Sequence, residues 1–275
     1  MNVEIGEASG LDGDGLLALW NAGYEGYFVP ITLTGEQLER HIRCGGIDLD
    51  RSLVMRVDGE PAAFSLLGTD GERGWIGGFG VAPAFRGRGL SYALMREHAA
   101  RFREWGMRHV RLELFEQNWV RKTYQAAGFR VTRRLPYLTG AAPASGDPLP
   151  AVPIDAALEH HARLHADFPA SWNREPRFLR RAFPAGGEIA IAGPPERPSG
   201  ILLAAPTGER VRVYDAAAED DASAARLVEA LGATYPGRSV IVVNEPEGSP
   251  VHRALLAAGF VEESAQLEMH WAAEE

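Results

Sequence analysis

The sequence predicts an α/β (α+β) protein built from two similar domains, and three observations lead to this prediction. First, 275 residues with 45% hydrophobic content are enough for two ordinary cores. Second, the phrase Ala-Ala-Gly-Phe, which closes a helix and opens a strand, occurs at 126–129 and again at 257–260. Third, residues 140–153 are rich in proline and lack a hydrophobic period. We therefore expect a first domain at 1–140, a linker at 141–153 and a second domain at 154–275.

Composition and charge exclude several classes of function. The chain has 28 basic and 37 acidic residues and a formal net charge of -9, which argues against sequence-independent binding of nucleic acid or of an anionic membrane surface. Its single cysteine, Cys44, excludes an intrachain disulfide and a thiolate-rich zinc site, and we expect it to be buried. Residues 1–15 do not resemble a secretion signal, and no apolar run approaches a membrane span. A cytoplasmic protein is expected.

Hydrophobic periodicity predicts the elements of the first domain. The dipeptide Asp58-Gly59 predicts a hairpin turn between two strands. The next strand is rich in glycine, which predicts a bulge or the close approach of another backbone. The predicted helices are 16–24, 35–44 and 90–105, and the predicted strands are 53–57, 61–68, 75–81 and 109–115.

The turn between the glycine-rich strand and the next helix is the clearest chemical signal. It reads Arg86-Gly87-Arg88-Gly89 and leads directly into a helix with Ser91 in its first turn. The N–H groups at a helix start attract anions, glycines let the backbone approach phosphate oxygens, and arginines add positive charge. The alternative is an ordinary glycine turn with solvated arginines. Neither a dinucleotide-binding nor a P-loop pattern is present.

Together with a second motif, this turn resembles the GNAT superfamily of acyl-CoA-dependent N-acyltransferases. The family's pyrophosphate turn has the form Q/R-x-x-G-x-G/A, which residues 84–89 fit from the third position onward. The second motif is Asn118 after a strand, followed by Tyr124 on a helix that ends before Gly-Phe. The resemblance covers residues 16–138. It implies a mixed, mostly antiparallel sheet flanked by helices, whose fourth and fifth strands splay apart around the pantetheine of acetyl-CoA.

The resemblance also implies a set of site residues and direct transfer from thioester to amine. Tyr124 is the candidate general acid for the departing thiolate, and Glu113 or Glu116 is the candidate base for the amine. A helical tyrosine that only packs, and strand glutamates that are only solvated, are the alternatives. No metal is expected. The candidate residues for binding acetyl-CoA are Phe79, Val81, Arg86, Gly87, Arg88, Gly89, Ser91 and Asn118.

The second half is expected to be a degenerate copy of the same GNAT-like fold. Asn244 again follows an apolar strand, but Leu255 stands where the first half has Tyr124, and the turn Glu219-Asp220-Asp221 would repel a pyrophosphate. The spacing of His160, His161 and His165 could suggest a metal, although a solvated or partly packed helix face is favoured. The predicted helices are 155–165, 175–183 and 221–231, and the predicted strands are 188–192, 201–205, 211–216, 239–243 and 260–271.

These observations favour an N-acetyltransferase acting on a primary amine of a small molecule or peptide. The rival hypothesis, from another class, is a non-catalytic acyl-CoA-binding regulator. The sequence leaves open the acceptor, the acyl length and the oligomeric state, with a homodimer as one option.

Overall fold

The computed structural model describes residues 2–273, which form two compact units. The first unit contains the residues up to Thr132 together with those from Glu268 onward, and the second is Arg133–Leu267. The segment 141–153, predicted to be a linker, therefore lies within the second unit. The end of the last strand belongs to the first unit.

In the first unit, one sheet carries helices on its two faces, which confirms the predicted fold class. The strand order is β1-β2-β3-β4-β5, followed by the last residues of the final strand, β11 (Val261–Ala272). Neighbours from β1 to β4 are antiparallel, and β4 and β5 are parallel. The elements are β1 (Val3–Glu7), α1 (Gly13–Gly23), α2 (Gly35–Gly45), β2 (Ile47–Val57), β3 (Glu60–Asp70), β4 (Arg73–Val81), α3 (Leu90–Glu104), β5 (His109–Phe115), α4 (Arg121–Ala126) and the start of β6 (Arg130–Ala141).

Alternating side chains of β2 and β3 build a core on each face of this sheet. Val54 and Phe64 pack with Trp20 of α1 on one face. Met55 packs with Leu94 of α3 on the other. Successive strand residues point to opposite faces, so the helices α1 and α2 cover one side of the sheet and α3 covers the other.

Two predicted local features of the first unit are confirmed. Asp58 and Gly59 have φ angles of 50° and 86°, as the predicted hairpin turn requires. In β4, Leu66 pairs with Gly78 and Leu67 with Ile76, so Gly77 is an extra residue in a bulge. A Cβ on Gly77 would come within 2.3 Å of the Trp75 ring, which shows why the bulge needs glycine.

The second unit has a related sheet with the order β6-β10-β9-β8-β7. Its strands are antiparallel except for β9 and β10, which are parallel. The predicted helix 155–165 is instead two short helices, and the break turns the side chain of His161 toward the carbonyl of Arg174. The elements are α5 (Ile154–Leu158), α6 (His161–Leu164), α7 (Pro176–Ala182), β7 (Glu188–Ala192), β8 (Gly200–Thr207), β9 (Arg210–Ala218), α8 (Asp221–Thr234), β10 (Ser239–Val242), α9 (Pro250–Ala257) and the start of β11 (Val261–Ala272).

Among residues 2–273, none of the helices has the length and apolar character needed to cross a membrane. Cys44 is buried, as its sequence context predicts.

Candidate active site

The fourth and fifth strands of the first unit separate after a short parallel contact. Within the described residues, β4 pairs with β5 only through Arg73 with His109, Gly74 with Val110, and Trp75 with Arg111. Beyond Trp75, β4 runs on to Val81 and β5 to Phe115 without pairing with each other. The sheet therefore opens into a gap, which we call the β4–β5 gap, and the bulge at Gly77 lies at its start.

Side chains of α1 and α2 meet the backbone of β4 at this gap. The N–H of Phe79 donates to the hydroxyl of Tyr24 at 3.4 Å. That N–H therefore points away from β3 and toward the gap. Nε2 of His41 lies 2.8 Å from the carbonyl oxygen of Gly77, and because a carbonyl only accepts, Nε2 carries the proton. Burial lowers the pKa of His41, although this hydrogen bond opposes the shift, so the ring is neutral at pH 7.

The turn before α3 is open to a ligand. Gly87 and Gly89 have φ angles of 75° and 76°, which favour glycine, and a Cβ on either would meet no atom within 4 Å. Gly89 is the N-cap of α3, and no side chain caps this helix start. The N–H groups of its first turn, including that of Ser91, therefore face open space. The positive end of the helix dipole lies at the same place. This arrangement fits a pyrophosphate group.

Arg86 holds the turn against the end of α1. Its Nε donates to the carbonyl of Val81 at 2.9 Å, and its Nη2 donates to the carbonyls of Gly23 at 3.1 Å and Glu25 at 2.8 Å. The side chain therefore positions the turn and adds positive charge, while Nη1 remains as the donor that could face a ligand. The sequence predicts that the backbone near Val81 binds the cofactor, and the carbonyl of Val81 already accepts this hydrogen bond from Arg86.

Arg88 is anchored within the turn itself. Its Nη2 donates to the carbonyl of Ala84 at 3.0 Å, and its guanidinium carbon lies 5.6 Å from the ring centroid of Phe85. The side chain is exposed, so its charge reaches solvent beside the uncapped helix start.

Asn118 and Tyr124 lie at the far end of the gap. Nδ2 of Asn118 donates to the hydroxyl of Tyr27 at 3.1 Å, and its Oδ1 accepts from the N–H of Val120 at 3.0 Å. The Tyr124 ring lies 5.4 Å from that of Phe79, between centroids, so the predicted acid is beside the β4 backbone of the gap. Burial raises the pKa of Tyr124 well above its usual value, and Tyr24 and Tyr27 add to the shift.

The two candidate bases occupy different environments. Oε2 of Glu113 accepts from Nε1 of Trp75 at 2.7 Å, so this carboxylate lies beside the point where β4 and β5 separate. Glu116 lies beyond the end of β5 and is exposed. Sequence reasoning did not assign His41 to the site, because a histidine on an amphipathic helix is most often part of the core. It treated Tyr24 and Tyr27 as core residues by default that could also line an acceptor pocket.

The comparisons agree with this geometry. A sequence model described as the acetyltransferase (GNAT) family matches residues 18–129. No curated protein matches the chain in sequence. Residues 18–129 are a GNAT acetyltransferase domain.

Solved structures extend this GNAT fold to the whole chain. The GCN5-related N-acetyltransferase from Sphaerobacter thermophilus has a TM-score of 0.67 at 16% identity, over 98% of this chain and 95% of that chain. The one from Anabaena variabilis has a TM-score of 0.68 at 14% identity, over 98% and 72%. A tandem GNAT protein from the clavulanic acid biosynthesis pathway has a TM-score of 0.68 at 13% identity, over 100% and 99%. The chain therefore has a tandem GNAT fold. The GNAT acetyltransferase domain at residues 18–129 supports acyl transfer in general.

The second GNAT unit has a corresponding gap. Its parallel pair joins Val211–Val213 of β9 to Val240–Val242 of β10, and β9 then continues to Ala218 without pairing with β10. The register of β8 and β9 shifts between Leu203 and Ala204, which leaves Tyr214 as the extra residue of a bulge. A bulge next to a diverging parallel pair thus occurs in both GNAT units.

A buried arginine fills this second gap. Nε of Arg174 lies 2.9 Å from Oδ1 of Asp215, and Nη1 lies 2.6 Å from Oε2 of Glu245. Nη2 and Nη1 donate to the carbonyls of Ala216 and Asn244 at 2.8 and 3.1 Å. The guanidinium thus joins β9 to the residues after β10. Burial lowers its pKa, but the charges of Glu245 and Asp215 outweigh that effect and the pKa is raised.

The predicted helix face with His161 and His165 is buried and is not solvated. Nε2 of His161 donates to the carbonyl of Arg174 at 2.9 Å. Nδ1 of His165 donates to the carbonyl of Phe168 at 3.0 Å, and its Nε2 lies 3.2 Å from Oδ2 of Asp215. One ring nitrogen from each of His161 and His165 and one carboxylate oxygen of Asp215 lie within 4.8 Å of one another, as metal ligands would. However, Nε2 of His161 bonds a carbonyl and must therefore donate a proton, and the guanidinium of Arg174 already neutralises Asp215. The donor set fits a polar network better than a metal.

Proposed function

We propose that the first GNAT unit transfers an acetyl group from acetyl-CoA to a primary amine of a small molecule or peptide by direct attack. The observation that carries this proposal is the uncapped start of α3, with left-handed Gly87 and Gly89, in the same unit as the β4–β5 gap. We also propose a cytoplasmic location, because a chain with a single cysteine has no disulfide framework that would mark an oxidising compartment.

The cofactor-binding residues divide into two groups. The backbone of Gly87, Gly89 and Ser91 would bind the pyrophosphate, with Arg86 and Arg88 supplying charge. Phe79, Val81 and Asn118 would orient the pantetheine in the gap. Acetyl-CoA would supply the thioester carbonyl that the amine attacks. The N–H of Phe79 donates to the Tyr24 hydroxyl in this structure. If the thioester oxygen took the place of that hydroxyl, the N–H would stabilise the negative charge that develops on the oxygen.

Tyr124 would protonate the departing thiolate. For an unperturbed tyrosine this transfer is uphill by roughly 2 kcal/mol. The raised pKa of the buried Tyr124 keeps its hydroxyl protonated at neutral pH but makes complete transfer harder. A hydrogen bond from this hydroxyl to the sulfur, which strengthens as negative charge develops there, is the contribution that its environment favours.

A base must also accept a proton from the amine. Deprotonating an alkylamine at pH 7 costs about 4.6 kcal/mol. Glu113 lies beside the opening of the gap, and Glu116 is solvated at the end of β5. We propose Glu113, directly or through water, with Glu116 as the alternative base.

The test uses a matched pair of glycines. Gly89→Leu places a side chain where the phosphates would bind, whereas Gly59→Leu adds the same strain at a hairpin turn, since both glycines have positive φ and open surroundings. Calorimetry should show that only Gly89→Leu abolishes binding of acetyl-CoA. Equal affinity in both variants would remove the pyrophosphate assignment.

A second assay separates the enzyme from the regulator. Free thiol release from acetyl-CoA is followed with a panel of primary amines. Release that depends on amine supports the transferase. Binding by wild-type protein with no release for any amine would favour the acyl-CoA-binding regulator.

A further inference from the structure

The segment between α1 and α2 presents aromatic and aliphatic side chains to solvent. Phe28 is 47% exposed and Val29 is 38% exposed, although large apolar side chains are usually buried. The Phe28 ring lies 5.1 Å from Tyr27 and 6.4 Å from Phe115, between centroids. The Tyr27 ring lies 6.1 Å from Phe115. These three rings, Tyr27, Phe28 and Phe115, form a cluster that we call the aromatic rim.

The aromatic rim lies at the end of the β4–β5 gap. Tyr27 is fixed there by the hydrogen bond that its hydroxyl accepts from Nδ2 of Asn118, at 3.1 Å. Phe115 is two residues after Glu113 on β5, so the two side chains share one face of the strand. On that face Glu113 contacts Trp75, and Trp75 lies 5.9 Å from His41 of α2, between ring centroids. The rim and the candidate base are therefore on the α1 and α2 side of the sheet.

The segment that supplies Tyr27 and Phe28 also lacks charged groups that would recognise a second charge on an acceptor. Residues 27–33 read Tyr-Phe-Val-Pro-Ile-Thr-Leu and contain no acidic or basic side chain. An acceptor with several ammonium groups, or one with a carboxylate beside its amine, would lose hydration there without gaining a partner from this segment. An aromatic or branched apolar group would instead cover exposed ring surface, which is favourable.

We propose that the acceptor is a primary amine that carries an aromatic or bulky apolar group. This rests on the proposed acetyl transfer. The apolar group packs on Phe28 and Phe115, while the amine nitrogen reaches the thioester near Glu113. Glu113 and Phe115 are two positions apart on β5, a distance of roughly 6.6 Å along the strand. This distance suits an acceptor in which two carbons link the aromatic ring to the amine nitrogen. The new N–C bond forms as the C–S bond breaks, the amine loses one proton to the base, and the sulfur gains one.

The experiment compares thiol release from acetyl-CoA with 2-phenylethylamine, ethylamine, spermidine and glycine as acceptors. Wild-type kcat/KM should be at least tenfold higher for 2-phenylethylamine than for each of the others. Phe28→Ala should reduce the ratio of kcat/KM for 2-phenylethylamine to kcat/KM for ethylamine about tenfold, mainly through KM. Phe28→Tyr should retain this ratio. Val3→Ala is the control, because Val3 is also exposed but lies on β1, with three strands between β1 and β5.

The outcomes separate the two proposals. Thiol release that favours spermidine or glycine, or an unchanged ratio in Phe28→Ala, would overturn the acceptor class and leave the transferase standing. No release with any amine would overturn the transfer and, with it, the acceptor class. Thermal denaturation of each variant checks that the half-exposed Phe28 can be replaced without unfolding.

Discussion

In the first unit β4 leaves β5 after Trp75, and in the second unit β9 leaves β10 after Val213. Both departures come just before a bulge, formed by Gly77 in one strand and Tyr214 in the other. The first gap is bordered by neutral hydroxyl, amide and backbone groups, by the carboxylate of Glu113 and by an open helix start. The second contains the guanidinium of Arg174 with two buried carboxylates.

This difference shows that the fold creates the gap and that side chains decide what fills it. Where two strands diverge, their backbone N–H and C=O groups lose the hydrogen-bond partners that the neighbouring strand supplied. Buried groups of this kind need other hydrogen-bond partners. In the second unit Arg174 supplies them to Ala216 and Asn244. In the first unit the hydroxyl of Tyr24 bonds the Phe79 N–H only at 3.4 Å, an interaction that a ligand carbonyl could replace.

The largest expected effect comes from removing the arginine of the second gap. Arg174→Met leaves Asp215 and Glu245 as buried charges without their partner, which should lower the free energy of unfolding by about 3–5 kcal/mol. The control is Arg180→Met, whose ion pair with Asp155 is exposed, and it should cost less than about 1 kcal/mol. Urea denaturation followed by circular dichroism measures both.

A combined variant tests the cause of that loss. Adding Asp215→Asn and Glu245→Gln to Arg174→Met removes the uncompensated charge, so part of the lost stability should return. If Arg174→Met alone stays within about 1 kcal/mol of wild type, the guanidinium does not hold the second gap together.

The next effect concerns the acid of the first gap. Tyr124→Phe keeps the ring beside Phe79 and removes only the hydroxyl, so turnover should fall roughly ten- to a thousandfold while affinity for acetyl-CoA changes little. Steady-state kinetics and calorimetry measure the two quantities. Tyr235→Phe, which alters a tyrosine of the second unit, should leave turnover unchanged. Turnover near the wild-type value in Tyr124→Phe would eliminate the general-acid role.

Local chemistry explains how much of the fold and the site could be predicted from sequence. The Asp58-Gly59 turn and the glycine bulge in β4 depend on conformations that a few adjacent residues dictate, and both predictions were confirmed. Strand β1 was missed because Val3–Glu7 is an edge strand with mostly exposed residues and therefore lacks a strong hydrophobic alternation.

The filling of the second gap could not be predicted because its partners are distant in sequence. Arg174 is 41 residues from Asp215 and 71 from Glu245. A single arginine or histidine in a polar stretch is most often solvated, and only tertiary packing shows that it is buried. The expectation of a solvated or partly packed helix face understated the burial of His161 and His165 for the same reason.

The smallest expected effect concerns the two helix starts. The helix α3 begins at Gly89 without a side-chain cap, whereas Asp220 caps α8 by accepting from the N–H of Ser223 at 2.7 Å. Hydrogen bonds from Ser223 lower the pKa of Asp220, so the cap is ionised at neutral pH. Asp220→Ala removes the cap and should lower the free energy of unfolding by about 1 kcal/mol. Asp220→Asn keeps a capping oxygen and should retain most of that stability.

Calorimetry on the same two variants tests which feature keeps acetyl-CoA out of the second unit. We expect one binding site per chain in both, because Arg174 still occupies the gap when the charge of Asp220 is gone. Adding Gly89→Leu to Asp220→Asn removes the binding site of the first unit, so that any remaining acetyl-CoA binding would come from the second unit. We expect this double variant to bind no acetyl-CoA. Binding that persists in this double variant would mean that the acidic helix start, and not the buried arginine, separates the two units in function.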